Sequence, residues 1–340
     1  MVCEDRPVIA ITLGDPAGIG PEVVLKALSN KEIYCICSPL VIGESATVQA
    51  AIKLIKKPLA LHSVEKISDI ISDYGTIDIL NMHNLDWTTV KIGQVSKECG
   101  KASMEFVEKA VYLALNHEVK AIVTAPINKE ATSLAGYPGL GHLEYIAHAT
   151  GTREYATMLS SGNLRCVHLT THCSLVEACN FVKRERILRR LKLTDDSFRK
   201  WGFDRPRIGV AGLNPHAGEY GLFGSEELAE IIPAVKDAVK MGIDASGPFP
   251  ADSIFNRAIK GEFDAVLVMY HDQGHIPIKV HNFEKSVSIA LGLPLLRTSV
   301  DHGTAFEIAG QGIANSVSME EAIKMAAWLS QKKSLKNMPP

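Results

Sequence analysis

The 340-residue chain is 46% hydrophobic and 22% charged, with a formal net charge of -2 from 36 Lys+Arg and 38 Asp+Glu. This is the composition of a globular protein with a core large enough to stand without staples, as two domains or one large α/β unit. The balanced charge carries no nucleic-acid footprint, and no stretch is apolar for long enough to span a membrane. The first residues, Met1-Val-Cys-Glu-Asp-Arg-Pro7, lack the basic start and apolar run of a secretion signal, so the cytoplasm is the expected compartment. The seven cysteines are odd in number and form no C-x-x-C pair, which reads as free thiols in a reducing compartment. Cys173 directly follows His172 and is a conceivable thiolate ligand; a small buried residue is the simpler reading.

In chain order, Val8–Thr12 reads as a β-branched strand running into Leu13-Gly-Asp-Pro-Ala-Gly-Ile-Gly-Pro-Glu22. The glycines allow a tight loop with close backbone approach; Pro21 suits a first helical position and Glu22 the helix dipole. This is a conceivable anion cradle, but neither a G-x-G-x-x-G fingerprint nor a P-loop. Residues 40–80 alternate short apolar runs with helical patches, and 86–100 are polar. Gly100-Lys-Ala-Ser is expected to open a helix with Met104, Val107, Val111 and Leu115 on its apolar side. Val119–Thr124 reads as a strand ending in a rigid turn that bears Asn128 and Lys129. Gly139-Leu-Gly-His-Leu-Glu144 reads most simply as a helix-capping segment with an incidental His142.

Further on, Leu164–Thr170 reads as a strand ending in Thr171-His172. The charge-rich segment 183–207 reads as a solvated face with a helix cap at Thr194-Asp-Asp. Arg207–Leu213 is a strand ending in Asn214-Pro-His216, and Ser225-Glu-Glu starts the helix after it. Gly247–Asp252 is a rigid connector that places a carboxylate. The apolar run Asp264–Met269 reads as a fully buried strand that delivers His271, Asp272, Gln273 and Gly274. Val287–Leu291 and Leu295–Val300 are the last strands, and a polar loop 301–310 precedes a helix near 319–329. The tail from Gln331 is expected to fray.

His172, His216 and His271 therefore each stand just beyond a strand. In open α/β sheets ligands bind outside the carboxyl ends of strands. Three imidazoles brought together there suit a divalent transition metal and leave an open position. Twelve histidines also place some at strand ends by chance, and each can be a satisfied hydrogen-bonding group. Lys279 and Arg297 suggest an anionic substrate, or are surface charges.

Five ordered stretches carry a resemblance over essentially the whole chain: 11–22, 124–130, 213–219, Met269-Tyr-His-Asp-Gln-Gly274, and Arg297-Thr-Ser-Val-Asp-His-Gly-Thr-Ala-Phe306. They resemble the 4-hydroxythreonine-4-phosphate dehydrogenase family. The resemblance implies an α/β, isopropylmalate-dehydrogenase-like fold with two α/β/α domains around a central cleft. The expected division is 1–125 plus 300–340, and 126–299 with the metal histidines and dimer contacts. It implies a homodimer whose active site both subunits complete. It also implies NAD or NADP held without a Rossmann fingerprint, with His302, Gly303, Thr304 and Ala305 in the dinucleotide loop. It places one divalent metal (Zn, Mg, Co or Mn) on His172, His216 and His271, and substrate contacts on His142, Lys279 and Arg297. The implied reaction moves hydride from the carbinol carbon to the nicotinamide and gives a β-keto acid. Metal polarisation of the substrate oxygen would then assist decarboxylation. Asp272, Asp252 and Lys129 are the candidates for the base that takes the hydroxyl proton.

Two positions depart from the family pattern. Its substrate-binding Thr falls on Leu143, and a substrate-binding Asn falls on Ser288. Leu143 donates no hydrogen bond, and Ser288 is shorter with different donors. The substrate thus stays open among 4-hydroxythreonine 4-phosphate in vitamin B6 synthesis, D-threonate or D-erythronate 4-phosphate in acid-sugar catabolism, and a phosphate-free cyclic dihydrodiol carboxylate of the terephthalate-dihydrodiol type. Readings from other classes are a metal-dependent hydrolase and a non-catalytic metal- or phosphate-binding relative.

Overall fold

The computed structural model describes residues 6–137 and 141–338. Cys3 and the flank Gly139-Leu140 used above lie outside the described residues. Two compact units emerge, one within Met1–Gly151 and Leu293–Gln331, the other within Thr152–Gly292 and Lys332–Pro340. The sequence division had been expected at 125/126 and 299/300. Residues 293–299 fall in the first unit because Arg297–Ser299 pair with Ile122–Thr124.

The first unit is built on parallel strands: β1 (Val8–Thr12), β2 (Ser38–Gly43), β3 (Ala60–Val64), β4 (Thr76–Asn81) and β5 (Ala121–Thr124). Its sheet order is β3-β4-β2-β1-β5, completed beyond β5 by the late strand Arg297–Val300, with every pairing parallel. β5 is buried throughout, and β1 is buried from Ile9 onward. Buried parallel strands of this kind read as continuous apolar runs rather than alternations. Gly14 (φ 68°) turns the chain off β1; a Cβ there would lie 2.3 Å from Pro126 O, so the close approach of loop to backbone requires glycine.

The second unit holds β6 (Ala156–Ser161), β7 (Leu164–His168), β8 (Ile208–Ala211), β9 (Ala245–Phe249), β10 (Ala265–Val268) and β11 (Val287–Leu291). The first unit's late strand, Arg297–Val300, is β12. The order within this unit is β11-β6-β7-β10-β8-β9. The β11/β6 and β6/β7 pairs are antiparallel; β7/β10, β10/β8 and β8/β9 are parallel. Its core gathers Leu159, Leu164, Cys166, Ile254, Val266 and Ile278, with further buried residues from the same strands and helices. Among the described residues, no helix is long and apolar enough to cross a membrane.

Three local expectations are corrected. The helix expected from Gly100 starts at Lys97 and is capped by Ser96, whose hydroxyl accepts Cys99 N–H. Thr194 and Asp195 cap nothing: they lie inside the helix Arg184–Lys200, where Thr194 Oγ1 donates to Arg190 O. The tail does not fray as far as residue 338. Leu335 is fully buried, its N–H bonds Trp201 O, and Ser334 Oγ donates to Gly202 O.

Candidate active site

In the first unit, β12 and the helix His142–Ala149 bring two substrate candidates near one another. Arg297 is 5% exposed, and its Nε and Nη2 both donate to Thr124 Oγ1, at 3.2 and 2.7 Å. Burial pulls its value down to about 10, opposed by Glu144, so it remains a cation at neutral pH. His142 opens the helix His142–Ala149. Its Nε2 is buried without a hydrogen-bond partner among the described residues. Burial, with the cations of Arg297 and Lys129, holds its imidazole well below the ordinary value. An uncharged imidazole beside a buried guanidinium is a cradle for an anionic group. Lys129 is exposed at the start of the helix Lys129–Leu134, which Asn128 caps by accepting Ala131 N–H.

The loop 301–310 packs onto the first glycine loop. Ile19 N donates to Thr304 O, and Gly18 lies so close that an added Cβ would meet Thr304 Cβ at 3.0 Å. Ala305 is held at φ 41°, and His302 Nδ1 lies 3.0 Å from Gly303 O. Asp15, at the heart of the glycine loop, is fully buried. Its Oδ1 accepts Ala17 N–H, and its Oδ2 takes no hydrogen bond among the described residues. Burial pushes its carboxyl up to about 6, against the pull of backbone N–H groups.

In the second unit, β7, β10 and β8 are adjacent parallel strands, and His172, His271 and His216 follow their carboxyl ends in that order. The rings of His172 and His271 stand 6.1 Å apart, on a cavity of about 490 Å³ also lined by Thr171, Cys173, Tyr270 and Asp272. His271 Nδ1 donates to Asp272 Oδ1 at 2.7 Å, which orients the ring and leaves Nε2 for a ligand. These two imidazoles fit a divalent cation. His216 does not join them: among the described residues, no group of three or more His, Cys, Asp or Glu side chains gathers where a metal could sit. The backbone that carries it is unusual. His216, Ala217, Gly218, Glu219 and Tyr220 all lie in the left-handed region (φ 54, 55, 77, 42 and 59°). For the four non-glycine residues this costs about 1–2 kcal/mol each.

The remaining expected residues are dispersed. Lys279 Nζ sits over the Phe283 ring at 4.8 Å. Asp252 is exposed in the first turn of the helix Ala251–Ile259. Ser288 is half-buried in β11, opposite Leu159. Leu143, 7% exposed, is turned into the core. Sequence reasoning missed a column of imidazoles. His275 stacks on His271 at 3.5 Å, and buried His168 lies 4.7 Å from His275. Burial, with the neighbouring His275, takes His168 down to about 3. The i, i+4 spacing of His271 and His275 was the available signal, but it speaks only once His271–His281 is known to be helical.

The parallel strands with buried polar and ionisable side chains beyond their carboxyl ends are those of an α/β enzyme. Residues 35–326 match the family model described as "Pyridoxal phosphate biosynthetic protein PdxA", and the chain belongs to that family, as a dehydrogenase. A relative from Halalkalibacterium halodurans, named "Putative D-threonate 4-phosphate dehydrogenase", is 48% identical over 322 residues, 95% of this chain and 96% of the relative. The crystal structure of 4-hydroxythreonine-4-phosphate dehydrogenase from Klebsiella pneumoniae is 40% identical with a TM-score of 0.89, covering 96% of this chain and 100% of that one. A terephthalate 1,2-cis-dihydrodiol dehydrogenase from Burkholderia xenovorans LB400 is 28% identical with a TM-score of 0.64, over 95% and 98% of the two chains.

Proposed function

We propose that the chain oxidises and decarboxylates a phosphorylated four-carbon hydroxy acid of the D-threonate or D-erythronate 4-phosphate type, in the cytoplasm. The observation that carries this reading is the buried Arg297 cation beside uncharged His142. A buried guanidinium beside a neutral imidazole suits an anionic substrate end such as a phosphate ester presents. The 48% identical relative bears a D-threonate 4-phosphate name, and Leu143 and Ser288 depart from the 4-hydroxythreonine pattern.

When bound, NAD or NADP would supply the hydride acceptor and a divalent cation (Zn, Mg, Co or Mn) a Lewis acid. The loop His302–Ala305 would hold the dinucleotide. His172 and His271 would hold the cation, and His216, which does not join them within one chain, would be the third ligand across the homodimer. Arg297, His142 and Lys279 would bind and orient the anionic ends of the substrate. Asp272 is engaged with His271 Nδ1, which leaves Lys129 and Asp252 as the groups to take the hydroxyl proton. A homodimer is supported by a set of apolar side chains on the second unit. Val176, Tyr220, Leu222, Val280 and Phe283 are each at least 67% exposed, an unusual allowance for a lone chain.

The test is nicotinamide reduction with added divalent metal, NAD and NADP. The panel holds D-threonate 4-phosphate, D-erythronate 4-phosphate, 4-hydroxythreonine 4-phosphate and one dihydrodiol carboxylate. Turnover is expected on an acid-sugar phosphate, and Arg297→Lys should lower its kcat/KM by about 10- to 150-fold, the worth of a hydrogen bond to a charged group. Activity on the diol alone, indifferent to Arg297→Lys, would overturn the reading.

A further inference from the structure

The left-handed turn 216–220 does not hold itself. At its base, Glu227 is 1% exposed and points its carboxylate into the loop. Its Oε1 accepts the N–H groups of Leu213 (2.8 Å) and Asn214 (2.7 Å), and its Oε2 accepts from Asn214 Nδ2 (2.9 Å). The second Nδ2 hydrogen of Asn214 goes to Glu226 Oε2 at 2.8 Å. The turn closes down on the same carboxylate: a Cβ at Gly218 would lie 2.6 Å from Glu227 Oε2. One residue before Leu213, Gly212 O accepts Gln273 Nε2 at 2.7 Å, while Gln273 Oε1 accepts Met269 N–H at 2.7 Å. Gln273 is buried and two residues beyond His271. Its amide thus ties the strand end that leads to His271 to the strand end that leads to His216.

We infer that Glu227, with Gln273 below it, is the positioning residue of His216: its buried carboxylate gathers the three donors of Leu213 and Asn214 and so holds the left-handed turn that carries the imidazole. The inference rests on the reading of His216 as a metal ligand. All three groups facing the carboxylate are donors, so an acceptor-only side chain is required there. A glutamine can offer one oxygen, but its NH2 would face the Asn214 NH2. Turning the Asn214 amide to relieve that clash sets its oxygen against Glu226 Oε2. No single amide orientation satisfies the site.

The experiment uses the full-length apo protein titrated with Co²⁺, read by its visible absorbance, alongside hydrogen exchange at the Leu213 and Asn214 amides. The variants are His216→Ala, Glu227→Gln, Glu227→Asp and the milder Asn214→Ala. His216→Ala should abolish the specific Co²⁺ signal. Glu227→Gln should weaken Co²⁺ by about 10- to 100-fold, the usual cost of losing an outer-shell partner, and speed exchange at both amides. Glu227→Asp should recover part of the affinity, since it restores the carboxylate. Asn214→Ala should move both readouts in the same direction by a smaller factor, and it serves if Glu227→Gln does not fold. If His216→Ala loses Co²⁺ while Glu227→Gln and Asn214→Ala stay within twofold of the parent, the positioning role is overturned. If His216→Ala binds Co²⁺ as the parent does, the ligand reading falls instead. Exchange then decides on Glu227 alone: faster Leu213 and Asn214 amides support the hold on the turn, and unchanged amides overturn it.

Discussion

Asp15, His142 and His168 are buried ionisable groups, and the interior has pushed each toward its neutral form. The two histidines are depressed, so their contribution to stability is present above their ordinary 6.5 and lost as pH falls. Asp15 is raised from 3.8 to about 6, so its contribution is present below 3.8 and lost as pH rises through about 6. Acidification therefore loses the histidine contribution, while Asp15, protonating in the native chain, opposes that loss. Asp15→Asn removes the opposing group, so stability should fall more steeply below about pH 6 in the variant than in the parent; urea unfolding of the apo protein at several pH values reads it. An unchanged slope would mean that Asp15 is ionised in the native state. None of this was legible in the sequence, where Asp15 is one polar letter in a glycine loop and His142 looks incidental. What sets their chemistry is the backbone packed around them.

At the scale of elements, the sequence was legible wherever a continuous apolar run met a polar stop. β1, β5, β7, β8, β10, β11 and β12 all announce themselves this way, and so did the histidines beyond β7, β8 and β10. Local chemistry with two uses was not legible. Thr and Asp serve caps and helix interiors alike, so Thr194-Asp195 misled. The left-handed turn at His216 had only Gly218 as a signal, with four side chains beside it that ordinarily avoid such backbone. The tail misled because one buried leucine outweighs its polar neighbours. Leu335→Ala should therefore cost about 2–5 kcal/mol in chemical unfolding. A loss below about 0.5 kcal/mol would show that the tail adds nothing.

For the whole molecule, exposed Val176, Val280 and Phe283 predict self-association. Val280→Lys places a charge on that surface and should convert a dimer to monomers in light scattering or sedimentation at micromolar concentration, while far-ultraviolet circular dichroism stays unchanged. A parent protein that is already monomeric would defeat the dimer proposal outright.

The pairing of β12 with β5 spans 173 residues between Arg297 and Thr124, and the whole of Thr152–Gly292 intervenes. During synthesis on the ribosome, β5 therefore emerges with one edge bare. At about 5–20 residues per second, the strand that covers it follows roughly 10–35 s later. Through that interval the nascent first unit carries an open, mostly apolar parallel edge, the kind of template that recruits foreign strands. The same delay makes Arg297 one of the last parts installed. A chain cut short before residue 297 would lack both the cover of that edge and the cation of the anion cradle. The nascent first unit is thus most open at β5, the strand whose Thr124 later receives Arg297.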